Sequence, residues 1–375
     1  MKLCIFPNDP LIAYYKKGEI KENYYNPKNY FDEIHFISFI DKDIEESKIQ
    51  KLVGDASIHI HSVGKIGIWN RKKHVKNILD IVTKINPDII RAYNPFLEGW
   101  FAAQCADKLH IPFFLSLHTQ YDTNRDHAKK SNFKKYLALK YTEKFIEPFV
   151  LSKADKITIV YKIIEPYVKK HTNLQPEILH NKVNLQLFQK SNRISSLKEP
   201  LIISVGSLIP VKNHQSLIEA MREIDANLLI IGDGILHNEL SKLIGKYRLE
   251  NKISLLKSVP NGEIPNYFKS AKLFALAYDP EVEGIPIPVI EAMASKLPIV
   301  IPYLQSGYEE GLDDVALFSE RNPKEFSKTI KKLLSDESLQ KTLSEKSFIK
   351  SKEFDSEKIE SRELEIYVEL MGEEK

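Results

Sequence analysis

The sequence has no apolar run near the 18 or more residues that a membrane-spanning helix requires, so no spanning helix is expected in its 375 residues. The opening MKLCIFPNDP is a short apolar run cut off by proline. It reads as a buried first strand rather than a signal peptide. Cysteine is scarce: Cys4 and Cys105 are the only two, both in apolar surroundings. That predicts two buried thiols rather than a disulfide, and a reducing, cytoplasmic setting. There is no internal repeat and no low-complexity tract. With a net charge of only +3 and no nucleic-acid-binding signature, no nucleic-acid partner is expected. His59 and His61 alternate on one strand face, but no Cys, Asp or second pair stands at ligand spacing. Asp41-Lys42-Asp43 and Asp313-Asp314 have no context to aim them, so no metal is expected to be required.

What is present suffices for two domains. The chain is 43% hydrophobic and 28% charged, a composition that folds, and its length exceeds one ordinary core. Charge divides along it: residues 1–190 carry a net +9 and residues 191–375 a net −6. Two domains with different partners would show such a split.

Strands and helices alternate throughout. Strands are expected at Lys2–Phe6, Glu33–Phe39, Ser57–His61, Asp88–Ala92, Pro112–Leu117 and Lys156–Val160, with helices at Lys72–Lys84 and Gly99–Leu109 between them. The polar stretch Ser191–Pro200 reads as a linker. The pattern restarts with strands at Leu201–Val205, Asn227–Ile231, Lys252–Leu255, Lys272–Ala277 and Pro298–Ile301. Helices are expected at His214–Met221, Leu236–Tyr247 and Pro288–Ser295, and the chain is helical beyond about residue 323. Short β-branched runs between helices mean parallel strands with crossovers. The expected architecture is therefore two doubly wound, Rossmann-like α/β domains, residues 1–190 and 195–350.

Ligands of open parallel sheets bind beyond the carboxyl ends of the strands. After Leu201–Val205 come Gly206 and Ser207, then Lys212; the glycine permits close backbone approach and the lysine can meet a phosphate. After Asn227–Ile231 comes Gly232-Asp233-Gly234, a turn without Cβ atoms at its corners. The most informative stretch is Glu283-Gly284-Ile285-Pro286-Ile287-Pro288-Val289-Ile290-Glu291. Pro288 suits a helix start, which offers N–H groups and a positive dipole end to a diphosphate. Carboxylates at Glu283 and Glu291 would repel phosphate and are better aimed at sugar hydroxyls.

These two carboxylates, with seven residues between them, followed by Ala-Met-Ala and a Pro-Ile-Val strand, resemble the signature of retaining family 4 glycosyltransferases of the GT-B fold (glycosyl transferases group 1). Val205-Gly206, Lys212, Ile231-Gly232-Asp233-Gly234, Glu283 and Glu291 follow that family's order. His180-Asn181-Lys182-Val183-Asn184 with Phe188 is similar to its Asn-Gly-Val-Asp … Phe element. The resemblance is strong over about residues 178–305 and weak before them. It implies two domains facing a cleft, with the first completed by a C-terminal helix at residues 356–375. It implies that Lys212 holds the donor diphosphate, Glu291 the nucleotide ribose and Glu283 the transferred sugar. The main chain from Gly284 through Ile285 and Pro286 to Ile287 would line sugar and phosphate, and the main chain near Val259 the base. His118 matches a histidine that faces the donor sugar. The reaction implied moves a sugar from a nucleotide-diphosphate sugar to an acceptor hydroxyl with retention, without cofactor or metal.

Departures from the family pattern are plain. Ser207 stands where an arginine is usual, leaving Lys212 with more of the phosphate work, or Arg125 or a lysine substituting. The N-terminal loop keeps only Gly18 of a usual glycine pair; Gly18 and Arg125 are the acceptor-side candidates. The basic run Lys129, Lys130, Lys134, Lys135, Lys140 and Lys144 reads either as a solvated helix face, with Phe133, Tyr136, Leu137 and Tyr141 packed inward, or as a patch for peripheral contact with an anionic membrane. Rival activities are a nucleotide-sugar 2-epimerase on the same fold and a non-catalytic nucleotide-sugar-binding pseudoenzyme. A glycosidase would need its carboxyls to flank a scissile bond.

Overall fold

The computed structural model describes residues 1–372. It separates into two compact units, Met1–His180 with the chain from Ile359 onward, and Asn181–Lys358. The last three residues of the expected 356–375 segment lie outside the described residues.

The first unit is built on seven strands: β1 (Lys2–Phe6), β2 (Glu33–Ser38), β3 (Ser57–Ser62), β4 (Ile89–Ala92), β5 (Phe113–Leu117), β6 (Lys156–Ile159) and β7 (Glu177–Ile178). All pair in parallel, in the order β3-β2-β1-β4-β5-β6-β7. Parallel strands covered on both faces need apolar side chains on both, and every residue of β5, Phe-Phe-Leu-Ser-Leu, is buried. Leu3, Ile5, Ile34, Phe36 and Phe114 form one core with Ile366 and Tyr367 of the terminal helix Ser356–Met371. That helix is also held by charge. Buried Arg91 of β4 donates to Glu363 and to the Tyr367 hydroxyl, and at 3.1 Å to Ser116 Oγ. Such a cation is tolerated in a core only with this many partners.

The second unit has six strands: β8 (Leu201–Val205), β9 (Asn227–Ile231), β10 (Ile253–Leu256), β11 (Leu273–Ala275), β12 (Ile299–Pro302) and β13 (Ala316–Ser319). They are parallel in the order β10-β9-β8-β11-β12-β13. Ile202, Leu228, Ile230 and Leu273 pack against Leu217, Ile218 and Met221, and against Phe326, Ile330 and Leu333 of helix Pro323–Ser335. In each sheet the order reverses beside its first strand, between β1 and β4 and between β8 and β11. Loops part to opposite faces there, opening a crevice at the carboxyl ends.

Two strands carry no expectation from the sequence: β7, two residues long, and β13. Both are sheet edges, where a short run needs little apolar periodicity. The stretch 191–200 belongs to the second unit. Asn192 and Ile194 donate their amides to Asn266 Oδ1 at 2.9 Å and Ser270 Oγ at 2.7 Å, docking it on helix Ile264–Ser270.

Candidate active site

Strand β8 delivers the chain to the crevice at Gly206, and a single 3-10 turn, Pro210–Lys212, returns it toward helix His214–Ala220. Lys212 is buried, and its aliphatic stem lies over Gly206. A second turn holds this one in place. A Cβ on Gly232 would stand 2.0 Å from the Gly206 carbonyl oxygen, and one on Gly234 2.5 Å from that of Leu208. The Leu208 amide donates to the Asp233 carbonyl at 2.9 Å. The glycines after β9 are thus needed because the two turns touch backbone to backbone; their bare faces are turned toward the β8 turn.

The loop after β11 enters from the other side of the switch point. Tyr278, fully buried, donates its hydroxyl to the Gly284 carbonyl at 2.7 Å and fixes the loop's far end. Glu283 lies between, and its carboxylate meets the Lys212 ammonium directly. Helix Ile287–Ala294 follows, with Pro286 at its N-cap. Its first turn offers fewer donors than its length suggests: the amides of Val289 and Ile290 return to the Pro286 carbonyl, and Pro286 and Pro288 have none. Gly284, Ile285 and Ile287 carry the remaining N–H groups of the stretch. Glu291, on the second turn, is buried.

Other residues singled out by the sequence lie as follows. Val259 is in the loop after β10, whose last residue accepts the Gly232 amide at 2.9 Å. Asn184 caps helix Leu185–Gln189, accepting from Leu187 N at 3.1 Å, and Phe188 packs edge-on to Phe268, so this element ties the chain to the second unit. In the first unit, His118 follows β5; its ring centroid lies 5.6 Å from that of Tyr93, and its Nε2 is buried without a partner. Burial, with the Arg91 charge nearby, lowers its pKa from 6.5 to about 4, so the imidazole is neutral at physiological pH. Gly18 is the left-handed C-cap of helix Leu11–Lys17, its amide donating to the carbonyls of Tyr14 and Tyr15. The Arg125 guanidinium is committed to Glu147 at 2.9 Å and Asp122 at 2.9 Å inside the first unit. Glu147 is itself fully buried, so Arg125 serves as its counter-charge.

One group of metal-ligand type occurs among the described residues. The register pairs His35 of β2 with His59 of β3, and one ligand atom each of Glu33, His35 and His59 lie within 4.8 Å of one another. Sequence spacing could not show it, because Glu33 and His35 sit on a different strand. Two of its three members are already engaged: Glu33 meets the Lys2 ammonium at 3.1 Å, and His35 Nδ1 lies 3.1 Å from His61 Nε2.

The β8–β11 switch point therefore collects a lysine, two carboxylates and a run of closely apposed backbone. That set can hold a ligand bearing both an anionic group and hydroxyls. Residues 187–349 match the family described as Glycosyl transferases group 1. The chain is 25% identical over 343 residues, 90% of each sequence, to an uncharacterized glycosyltransferase of Methanocaldococcus jannaschii. It is 26% identical over 248 residues, 61% of this chain and 62% of the relative, to the alpha-monoglucosyldiacylglycerol synthase of Acholeplasma laidlawii. The Anabaena protein HepE, solved with UDP and glucose, shares the fold at a TM-score of 0.73 and 15% identity, covering 98% of this chain and 99% of its own. The matched segment lies wholly within Asn181–Lys358, so the second unit of this two-unit GT-B fold is similar to the group 1 glycosyl transferases.

Proposed function

We propose that the protein is a retaining glycosyltransferase that moves a hexosyl or N-acetylhexosaminyl group from a nucleotide-diphosphate sugar to an acceptor hydroxyl. The observation that carries this reading is the meeting of Lys212 and Glu283 at the β8–β11 switch point. Charge builds on the leaving diphosphate in the transition state, and Lys212 would stabilise it electrostatically. Glu283, released from the lysine by the incoming phosphate, would accept hydrogen bonds from the transferred sugar, and Glu291 from the ribose. His118, neutral and with a free Nε2, is the first unit's proposed catalytic residue. No metal or cofactor is assigned a role. Since the HepE structure holds UDP and glucose, a uridine donor is the first to test.

The acceptor is proposed to be membrane-borne. On helix Phe133–Phe145, Phe133 is 62% exposed, Leu137 53% and Phe145 52%, so they do not pack inward as a solvated basic face would require. Tyr141 continues this i, i+4 stripe and meets Trp69, itself 76% exposed, at 4.6 Å between centroids. Apolar rings flanked by Lys134, Lys135, Lys140 and Lys144 make an interfacial surface. The relative named for a glucosylated diacylglycerol favours the same class of acceptor.

The decisive experiment is a thermal-shift screen with UDP, GDP and ADP and their common sugars, followed by product analysis with and without acceptor lipids. A nucleotide that binds the native state raises the melting temperature by mass action. Conversion of donor without acceptor would identify an epimerase instead, and binding without turnover a pseudoenzyme.

A further inference from the structure

Asp279, in the loop that leads from β11 to Glu283, has no expectation attached to it in the sequence, yet contacts from several segments converge on it. Its amide donates to the Val211 carbonyl at 2.8 Å, immediately before Lys212. Its own carbonyl accepts the amides of Val282 and Glu283, each at 3.2 Å. Its Oδ1 accepts the Glu281 amide at 3.1 Å, and its Oδ2 pairs at 3.0 Å with the guanidinium of Arg321, which follows β13. The Asp279 side chain is only 6% exposed, whereas that of Arg321 is 38% exposed.

We propose that Asp279 and Arg321 are a positioning pair, clamping the β8 and β11 loops so that Lys212 and Glu283 stand ready for the donor. The inference rests on the reading of Lys212 as the phosphate-binding residue. A carboxylate this buried needs a cation or it turns toward water. If the Asp279 side chain turned outward, the Glu281 amide would lose its acceptor, and the loop whose main chain ties Val211 to Glu283 would lose its anchor to β13 and be freer to shift. Arg321 reaches it from the edge of the sheet and supplies that cation without itself needing to touch the ligand. Neither residue is apparent from motif spacing, because β13 and β11 become neighbours of the same site only through β12.

The test measures nucleoside-diphosphate affinity by calorimetry, using whichever of UDP, GDP and ADP binds the wild-type protein most tightly, together with melting temperatures. Arg321→Gln and Asp279→Asn should each weaken binding about tenfold. The double variant should be no weaker than either single one, since both break the same link. Arg321→Lys should recover most of the affinity. A pair with a merely structural role would lower the melting temperature and leave affinity alone, and that result overturns the proposal. So do additive losses in the double variant. Lys212→Ala separates the two levels. If it loses binding while Arg321→Gln and Asp279→Asn bind normally, only the positioning role fails. If Lys212→Ala binds as the wild type does, or no diphosphate binds the wild type, the functional reading fails and the positioning role with it.

Discussion

Lys212 and Glu283 stand 71 positions apart in the chain, and their charged ends meet at the carboxyl edge of the second sheet. β8 and β11 lie side by side in that sheet, so the loops leaving them converge. The pair is largely shielded, with side-chain exposures of 11% and 22%.

Lys212→Ala should remove a charged phosphate contact worth roughly 1.5–3 kcal/mol. Turnover efficiency should fall at least about tenfold, with the fold unchanged by circular dichroism. Glu283→Gln should mainly slow transfer, and Glu291→Gln should mainly weaken nucleotide binding. Normal binding and turnover in both carboxylate variants would end the assignment.

Gly232→Ala tests the backbone contact between the two turns. The new methyl would meet the Gly206 carbonyl oxygen at 2.0 Å, and backbone cannot yield as a flexible side chain can. A loss of about 1–3 kcal/mol in stability is expected, with weaker donor binding as the β8 turn is displaced. Denaturant titration and nucleotide calorimetry of the same variant check both. A variant with unaltered stability and affinity would show that the turns do not depend on this contact.

Binding to vesicles rich in phosphatidylglycerol should be measurable at low salt and fall steeply as salt rises. Changing Lys130, Lys134 and Lys135 to Glu should abolish it, and Phe133→Ala with Leu137→Ala should weaken it at every salt concentration. No sedimentation with such vesicles at low ionic strength would dismiss the membrane-contact surface.

Activity is expected to survive EDTA, with any magnesium effect below about threefold, under 1 kcal/mol. In the proposed site, Lys212 would supply the positive charge that a metal would otherwise provide beside the diphosphate. A complete loss on chelation, restored by magnesium, would mean the donor is held by other groups.

Stability should rise between pH 4 and 6.5. Burial lowers the pKa values of His35, His118 and His214 from 6.5 to about 4. Between those values the folded state binds fewer protons than the unfolded one, so their contribution is present above pH 6.5 and lost as the pH falls toward 4. Glu98 opposes them, because burial raises its pKa from 4.5 to about 7. Its contribution is present below pH 4.5 and lost as the pH rises through 7. Glu98→Gln should therefore gain more melting temperature between pH 5 and 7 than the wild type does. Parallel curves would show that Glu98 ionises as a free carboxyl does.

The apolar runs Lys2–Phe6, Leu201–Val205 and Asn227–Ile231 are strands with the bounds their sequence implies, because each is an uninterrupted β-rich segment between polar turns. The order Gly206, Lys212, Glu283, Glu291 likewise lies in the sequence, since these residues sit at strand ends and a helix start that local pattern marks. Tertiary structure decided the rest. Only strand order could bring Lys212 to Glu283, or set Arg321 on Asp279 across β12. Only packing shows that Gly232 and Gly234 are bare because another backbone lies against them, that Gly18 caps a helix, and that Arg125 is bound to a buried glutamate. The exposure of Phe133 and Leu137 was hidden for the same reason. A stripe of apolar residues at helical spacing has one pattern whether it faces a core or water, and only the neighbours that fold against it, or fail to, distinguish the two.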